Sequence, residues 1–195
     1  MYRPKSERKR IKRNKVGCAV IILIIIISYL VYSHWSSQNY NNRFNTLIIQ
    51  AAKRNSLDPN LIKAVIWRES NFNDKAVGKN GEIGLMQITP STAVKDWAVE
   101  NKRGIPNDGM LFKPATNIEI GSWYLARCKK HWNKYKNSLD LTLAEYNAGY
   151  SNARKWVPKK NNGNVLPNIT FPSTKEYIKA IIEQYDSYKS SNTFN

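Results

Sequence analysis

Apolar residues fall into three patterns along this chain. The first is an unbroken run. Val16 to Tyr32 is seventeen residues without a formal charge, dominated by Ile, Val and Leu. At about 1.5 Å per residue, such a helix is just long enough to cross the hydrocarbon of a bilayer. The second pattern is helical periodicity, which starts near Arg43. Phe44, Leu47, Ile48 and Ala51 make one stripe. Asp58-Pro59 supplies a cap and a proline at the first helical position, opening a helix that carries Leu61, Ile62, Val65 and Ile66. Thr89-Pro90 restarts a helix toward Trp97. Pro114 precedes a longer helix with Ile118, Gly121, Leu125, Cys128 and Trp132 on one side, where glycine lets another helix come close. Ser138 is placed to cap a helix with Leu139, Leu143 and Tyr146 in line. Ser173-Thr174-Lys175-Glu176 reads as a capping box before Tyr177, Ile178, Ile181, Ile182 and Tyr185. The third pattern is the lack of one. Residues 71–84 hold Gly78, Gly81 and Gly84 among Asn and Asp and predict a loop, with a small hairpin at Asn80-Gly81. Residues 33–42, rich in Ser, Gln, Asn and Tyr, predict a short linker. Period-two strands are few and no internal repeat is visible.

A chain of 195 residues suits one domain with an appendage. The patterns divide it into a basic tail (1–15), a membrane anchor (16–32), a linker (33–42), one folded domain (43–188) and a C-terminal tail (189–195). The basic tail carries eight Lys/Arg against Glu7, a net +7 that leaves +10 of the formal +17 for everything after it. Basic residues beside a span stay cytoplasmic, so the domain is expected outside the cell membrane on a single-pass anchor. Cleavage as a signal peptide is the competing reading. Its hydrophobic region is usually shorter and ends at small residues, to which Val31-Tyr32-Ser33 is a poor approximation. The basic body suits an anionic wall polymer. No nucleic-acid partner is expected, because the densest basic block is already explained by membrane topology. Oligomeric state is not readable. Cys18 lies in the apolar run and Cys128 far along the domain, so no disulfide is expected. With His34 and His131 they form no spaced ligand set, so no metal is expected.

Glu69 is the first candidate for chemistry. At 100° per residue it lies about 20° from Ile62 and about 40° from Val65, on the apolar stripe of the helix that Asp58 opens. It also ends that helix, where the macrodipole disfavours negative charge. Both effects raise a carboxyl pKa, which a general acid working near neutral pH requires. The bland reading is a glutamate turned outward in a frayed turn or paired with Arg68.

Three segments extend this reading: Trp67-Arg68-Glu69-Ser70-Asn71-Phe72, then Gly84-Leu85-Met86-Gln87, then Ala144-Glu145-Tyr146-Asn147-Ala148-Gly149. In order and rough spacing they resemble the signature motifs of the soluble-type, goose-lysozyme-like lytic transglycosylases, over about residues 43–188. The resemblance implies a mostly α, lysozyme-like α+β fold: a single helical domain with a substrate cleft, here preceded by the N-terminal transmembrane helix. It implies cleavage of the bond between N-acetylmuramic acid and N-acetylglucosamine in peptidoglycan, with an anhydro-muramoyl end and no cofactor.

In that family Glu69 maps to the acid/base, and Ser70 to a serine that positions the muramoyl N-acetyl group or the ring-closing hydroxyl. Gly84, Leu85, Met86 and Gln87 map to the cleft wall. Tyr146 maps to the tyrosine that orients Glu69, Asn147 to a substrate contact and Tyr177 to a further tyrosine lining the site. Read as bare residues, Ser70 is a helix-end hydroxyl, Met86 core filler, Gln87 a solvated polar group, and the two tyrosines core residues. Glu145 departs from the family's usual small residue and sits on the side of its helix away from Tyr146. Asp74, Glu82 and Asp96 stay open as a second acid, although the substrate's own N-acetyl and C6 hydroxyl groups can replace one. The rival readings are a hydrolytic muramidase on the same fold and a catalytically idle wall-binding scaffold.

Overall fold

The structure, a computed structural model, describes residues 5–194, and the side chains of residues 20–33, 36 and 39–194. The chain divides into two compact units, Met1–Arg43 and Phe44–Asn195. The described part of the first is built on one helix, α1 (Lys5–Asn42). The helix runs through 33–42, where the polar sequence suggests an unpatterned linker. No Gly or Pro interrupts that stretch, and polar character alone does not break a helix. The apolar residues from Val20 to Tyr32 expose about half their surface or more, Ile21 58% and Ile25 61%. Among the described residues no helix is long and apolar enough to cross a membrane. The apolar run starts at Val16, and the side chains of residues 16–19, with those of the basic tail, lie outside the described set.

The second unit is mostly helical: α2 (Asn45–Asn55), α3 (Pro59–Ser70), α4 (Lys95–Glu100), α5 (Asp108–Leu111), α6 (Pro114–His131), α7 (Ser138–Ala148), α8 (Tyr150–Ala153) and α9 (Pro172–Ser190). A π-helical turn, Pro90–Val94, leads into α4. Among the described residues, β structure amounts to isolated antiparallel bridges of Ile83 with Val77 and with Ile88. They close the loop predicted between Asn71 and Gly84. The core is built around α3, whose Leu61, Ile62, Ala64, Val65 and Ile66 are buried. That helix packs chiefly against α9, while α6 packs against α2 and α7.

Local signals explain some helix starts and not others. The Asp58 side chain accepts from the Asn60 N–H at 2.8 Å with Pro59 behind it, as the sequence predicts. At α9 the predicted capping box is not used. Pro172 opens the helix after Phe171 without a side-chain cap, which leaves Ser173 inside the first turn, and the Thr174 hydroxyl next to it donates to Asn147 Oδ1 at 2.8 Å. Ser138 is the first residue of α7 and not its cap. Gly121 does give close approach, but to a loop side chain and not to a helix: a methyl group on it would lie 2.5 Å from Met86 Sδ. The C-terminal tail is not free, since Phe194 packs on the core and the Lys63 ammonium lies 5.2 Å from its ring centre. Lys63 is itself buried, and burial lowers its pKa to about 8.

Candidate active site

Helix α3 delivers Glu69 and Ser70 to its C-terminal end, and the chain then turns away abruptly. Asn71 (φ 49°) and Phe72 (φ 62°) both adopt the left-handed region. Asparagine tolerates this conformation, and burial of the Phe72 ring holds it there against its steric cost. The turn leaves the end of α3 facing an open groove of about 770 Å³, lined by Glu69, Ser70, Asn71, Val77 and Gln87, with Glu176 contributed by α9.

Glu69 is half-buried in this groove. The Tyr177 hydroxyl, reaching across from α9, donates to its Oε1 at 2.5 Å. The Arg68 guanidinium lies 5.6 Å from the centre of the Tyr177 ring. Burial pushes the Glu69 carboxyl up to about 7. The Tyr177 hydrogen bond and the Arg68 charge pull it down by less, and the charge of Glu82 adds a smaller push upward. The group is therefore poised to hold or release a proton near neutrality.

The tyrosine that holds Glu69 is not the one the family resemblance implies. Tyr146 was expected to orient Glu69, but its hydroxyl donates to the Met86 carbonyl at 2.9 Å. Tyr177, 3% exposed, is the residue bonded to the carboxyl group. Both side chains point inward from their helices. Their reach decides the matter, and α9 lies directly against α3.

Ser70 and the second motif form the wall of the groove. The Ser70 hydroxyl donates to the Leu85 carbonyl at 2.8 Å, with the Ile66 carbonyl at 3.2 Å. Its one proton is thus committed within the fold, leaving an acceptor for a ligand. Leu85 and Met86 are fully buried, so their side chains stand behind the wall and do not form its surface. Gly84 has φ 75° and no room for a side chain, because a Cβ would meet Asn117 and, at 3.0 Å, the Leu111 carbonyl. Gln87 turns its amide N–H groups to the Gly84 carbonyl at 2.9 Å and the Ala76 carbonyl at 3.3 Å, so its oxygen is the group it can offer to a ligand. Asn147 is exposed at the end of α7, held to α9 through Thr174.

Asn117 is the supporting residue the sequence did not single out. Buried on α6, it accepts from the Met86 N–H at 2.8 Å and donates to the Ile83 and Leu111 carbonyls, both at 2.8 Å. A lone polar residue next to Ile118 on the inner face of a helix was the available signal. Of the open second acids, Asp96 is taken up by Arg127 at 2.5 Å. Glu82 is held by Asn80, and its charge bears on Glu69. Among the described residues no group of His, Cys, Asp and Glu could hold a metal ion.

Comparison with known proteins gives consistent results. The transglycosylase SLT domain family matches residues 46–167, which includes Glu69 and Tyr146 but ends before Tyr177. Similar solved structures include an inactive mutant of the lytic transglycosylase Slt from Pseudomonas aeruginosa, with TM-score 0.69 and 24% identity, covering 78% of this chain and 25% of that one. The 70-kDa soluble lytic transglycosylase from Escherichia coli aligns with TM-score 0.68 and 27% identity, over 79% of this chain and 25% of its own. A complex of the 70-kDa soluble lytic transglycosylase with bulgecin A gives TM-score 0.68 and 25% identity, over 84% and 27%. The chain thus spans about a quarter of the length of these relatives.

Proposed function

The chain belongs to the transglycosylase SLT domain family, and from that premise we propose that it is a peptidoglycan lytic transglycosylase with Glu69 as its acid/base. Glu69, protonated in the resting site, gives its proton to the glycosidic oxygen between N-acetylmuramic acid and N-acetylglucosamine. That bond breaks, the N-acetylglucosamine side leaves with a new hydroxyl, and positive charge builds at the muramoyl anomeric carbon. The carboxylate then accepts the proton of the muramoyl C6 hydroxyl, whose oxygen closes on the anomeric carbon to form the anhydro end. No water is consumed and Glu69 is returned protonated, so the reaction calls for no metal or organic cofactor.

One observation carries the reading: a half-buried carboxyl at a groove, held by one tyrosine hydroxyl and raised to about 7. A proton must leave and return within one cycle, and a group with that pKa does both at low cost near neutral pH. In the same reading Gln87, Ser70 and Asn147 meet the sugar chain, and the anchor at 16–32 holds the domain outside the cell membrane. The apolar exposure of Val20 to Tyr32 supports an anchor, as does the basic block before it.

The test is mass spectrometry of purified sacculi digested by the wild type and by Glu69→Gln. The wild type should release anhydro-muramoyl ends and the variant none, while keeping its fold and wall binding. Reducing muramic ends from the wild type would assign a hydrolytic muramidase instead. Undiminished release by the variant would remove Glu69 from the chemistry.

A further inference from the structure

The reaction proposed for Glu69 builds positive charge on the muramoyl ring, and no carboxylate has yet been assigned to meet it. The loop that follows the groove-lining residues Ala76 and Val77 carries one. The Gly78 N–H donates to the Glu82 carbonyl at 2.8 Å and the Gly81 N–H to the Gly78 carbonyl at 3.2 Å, closing a five-residue turn. Asn80 fixes the Glu82 carboxylate at both oxygens, its backbone N–H donating to Oε2 and its side-chain amide to Oε1, each at 3.0 Å. The carboxylate lies back over Gly78, where a methyl group would collide with it and would lie 2.8 Å from Gln87 Oε1. Glycine at position 78 is therefore what lets the Glu82 carboxylate and the Gln87 amide oxygen come together. Both are acceptors, and the Gln87 donors are already used on the wall. Both oxygens approach the one point that a Gly78 Cβ would occupy, so they face a common space that favours a donor or a positive charge.

We propose that Glu82 is a second carboxylate of the reaction, which stabilises the positive charge developing on the sugar ring as the glycosidic bond breaks. This rests on the reading of Glu69 as the acid. The environments of the two groups divide the work between them. Burial raises Glu69, whereas the Asn80 side-chain hydrogen bond, followed by backbone hydrogen bonds, lowers Glu82 below its ordinary value. Glu82 thus remains charged in the range where Glu69 exchanges its proton. The other groups that bear on Glu69 are Arg68, Tyr146 and Tyr177. Glu176 lines the groove from α9 but is exposed, and among the described residues no hydrogen bond holds its carboxylate in place.

The experiment is steady-state kinetics on soluble glycan fragments with Glu82→Gln, Glu82→Asp and Glu69→Gln, across pH. Glu82→Gln should lower kcat by about 10- to 100-fold and leave KM within about twofold. That is less than the roughly 10²- to 10³-fold loss on removing a fully enclosed electrostatic contact, because Glu82 is partly in water. The alkaline limb of the pH profile should also move to lower pH, since Glu69 loses a neighbour that pushes its pKa up. Glu82→Asp should regain part of the rate and the wild-type limb. A loop that matters for shape alone would give a lower rate at every pH with the limb unmoved, and Asp no better than Gln. That result, or a wild-type kcat in Glu82→Gln, would overturn the proposal while Glu69→Gln stayed inactive. Activity in Glu69→Gln would instead sink the reading on which it rests.

Discussion

Two glutamates sit in the last turns of two helices, and the protein treats them in opposite ways. Glu69 ends α3 and Glu145 lies near the end of α7, both where the helix dipole disfavours a negative charge. Glu145 is 2% exposed and well supplied with donors: Trp132 Nε1 at 2.6 Å, and His131 Nδ1 at 2.9 and 3.1 Å from its two oxygens. Glu69 has the Tyr177 hydroxyl and an open groove. A carboxyl group that two ring nitrogens hold ties α7 to the end of α6. One met by a single neutral donor is costly to ionise and so exchanges its proton near neutral pH. Burial alone does not single out a candidate acid, because donor supply separates the two.

The comparison breaks most visibly in stability. The Glu69 carboxyl has an ordinary value of 4.5 and a folded value of about 7. Between those values the folded state holds a proton that the unfolded state has lost, so stability declines as pH rises through that window. Glu69→Gln removes this decline. At pH 8 the variant should be more stable than wild type by up to about 3 kcal/mol, with the difference vanishing below pH 4. Urea melts of both proteins at pH 4 and pH 8 measure it. A variant no more stable at pH 8 would show that Glu69 ionises in the folded protein as easily as in water.

Glu145 should respond in the opposite sense. Glu145→Ala leaves the buried Trp132 N–H without its acceptor and opens space beside Tyr124 and Tyr150, which line a cavity of about 320 Å³ with it. The expected loss is about 2 kcal/mol, read as a lower thermal midpoint, with the alkaline limb of the pH-activity profile unmoved. A shift of that limb would give Glu145 a part in the chemistry that its bonding denies.

The sequence showed one half of this contrast better than the other, for physical reasons. A period of 3.6 residues fixes which face of a helix a residue occupies, so Glu69 on the apolar stripe and Glu145 opposite Tyr146 were both legible. What covers a face is decided by elements distant in the chain. His131 and Trp132 come from the end of α6, and nothing in the α7 sequence announces them. The same limit hid the partner of Glu69, since two inward tyrosines on different helices look alike until the packing of α9 on α3 is known. Caps were legible where the donor and acceptor are neighbours, as at Asp58. They failed at Ser173, which lies inside α9 behind Pro172 and caps nothing. Asn117 escaped notice because its three bonds all go to backbone groups outside its own helix, which no pattern within that helix records.

The contrast can be sharpened further at the single donor itself. Tyr177→Phe takes away the hydroxyl that donates to Glu69 Oε1 and keeps the ring that packs in the core. That bond favours the ionised carboxyl, so without it the Glu69 pKa should rise above about 7 and the alkaline limb should move to higher pH, opposite to the shift expected for Glu82→Gln. The carboxyl also loses the contact that fixes its orientation, and a misdirected proton donor costs rate even when fully protonated. A fall in kcat of about tenfold corresponds to about 1.4 kcal/mol of barrier, near the net worth of one hydrogen bond to a charged group. Tyr146→Phe serves as the control. It removes a bond to the Met86 carbonyl and not to the acid, so it should lower stability by about 1 kcal/mol and leave the limb close to its wild-type position. Were the limb to follow Tyr146 and ignore Tyr177, the sequence-derived pairing would be right and the donor argument would fail at its simplest point.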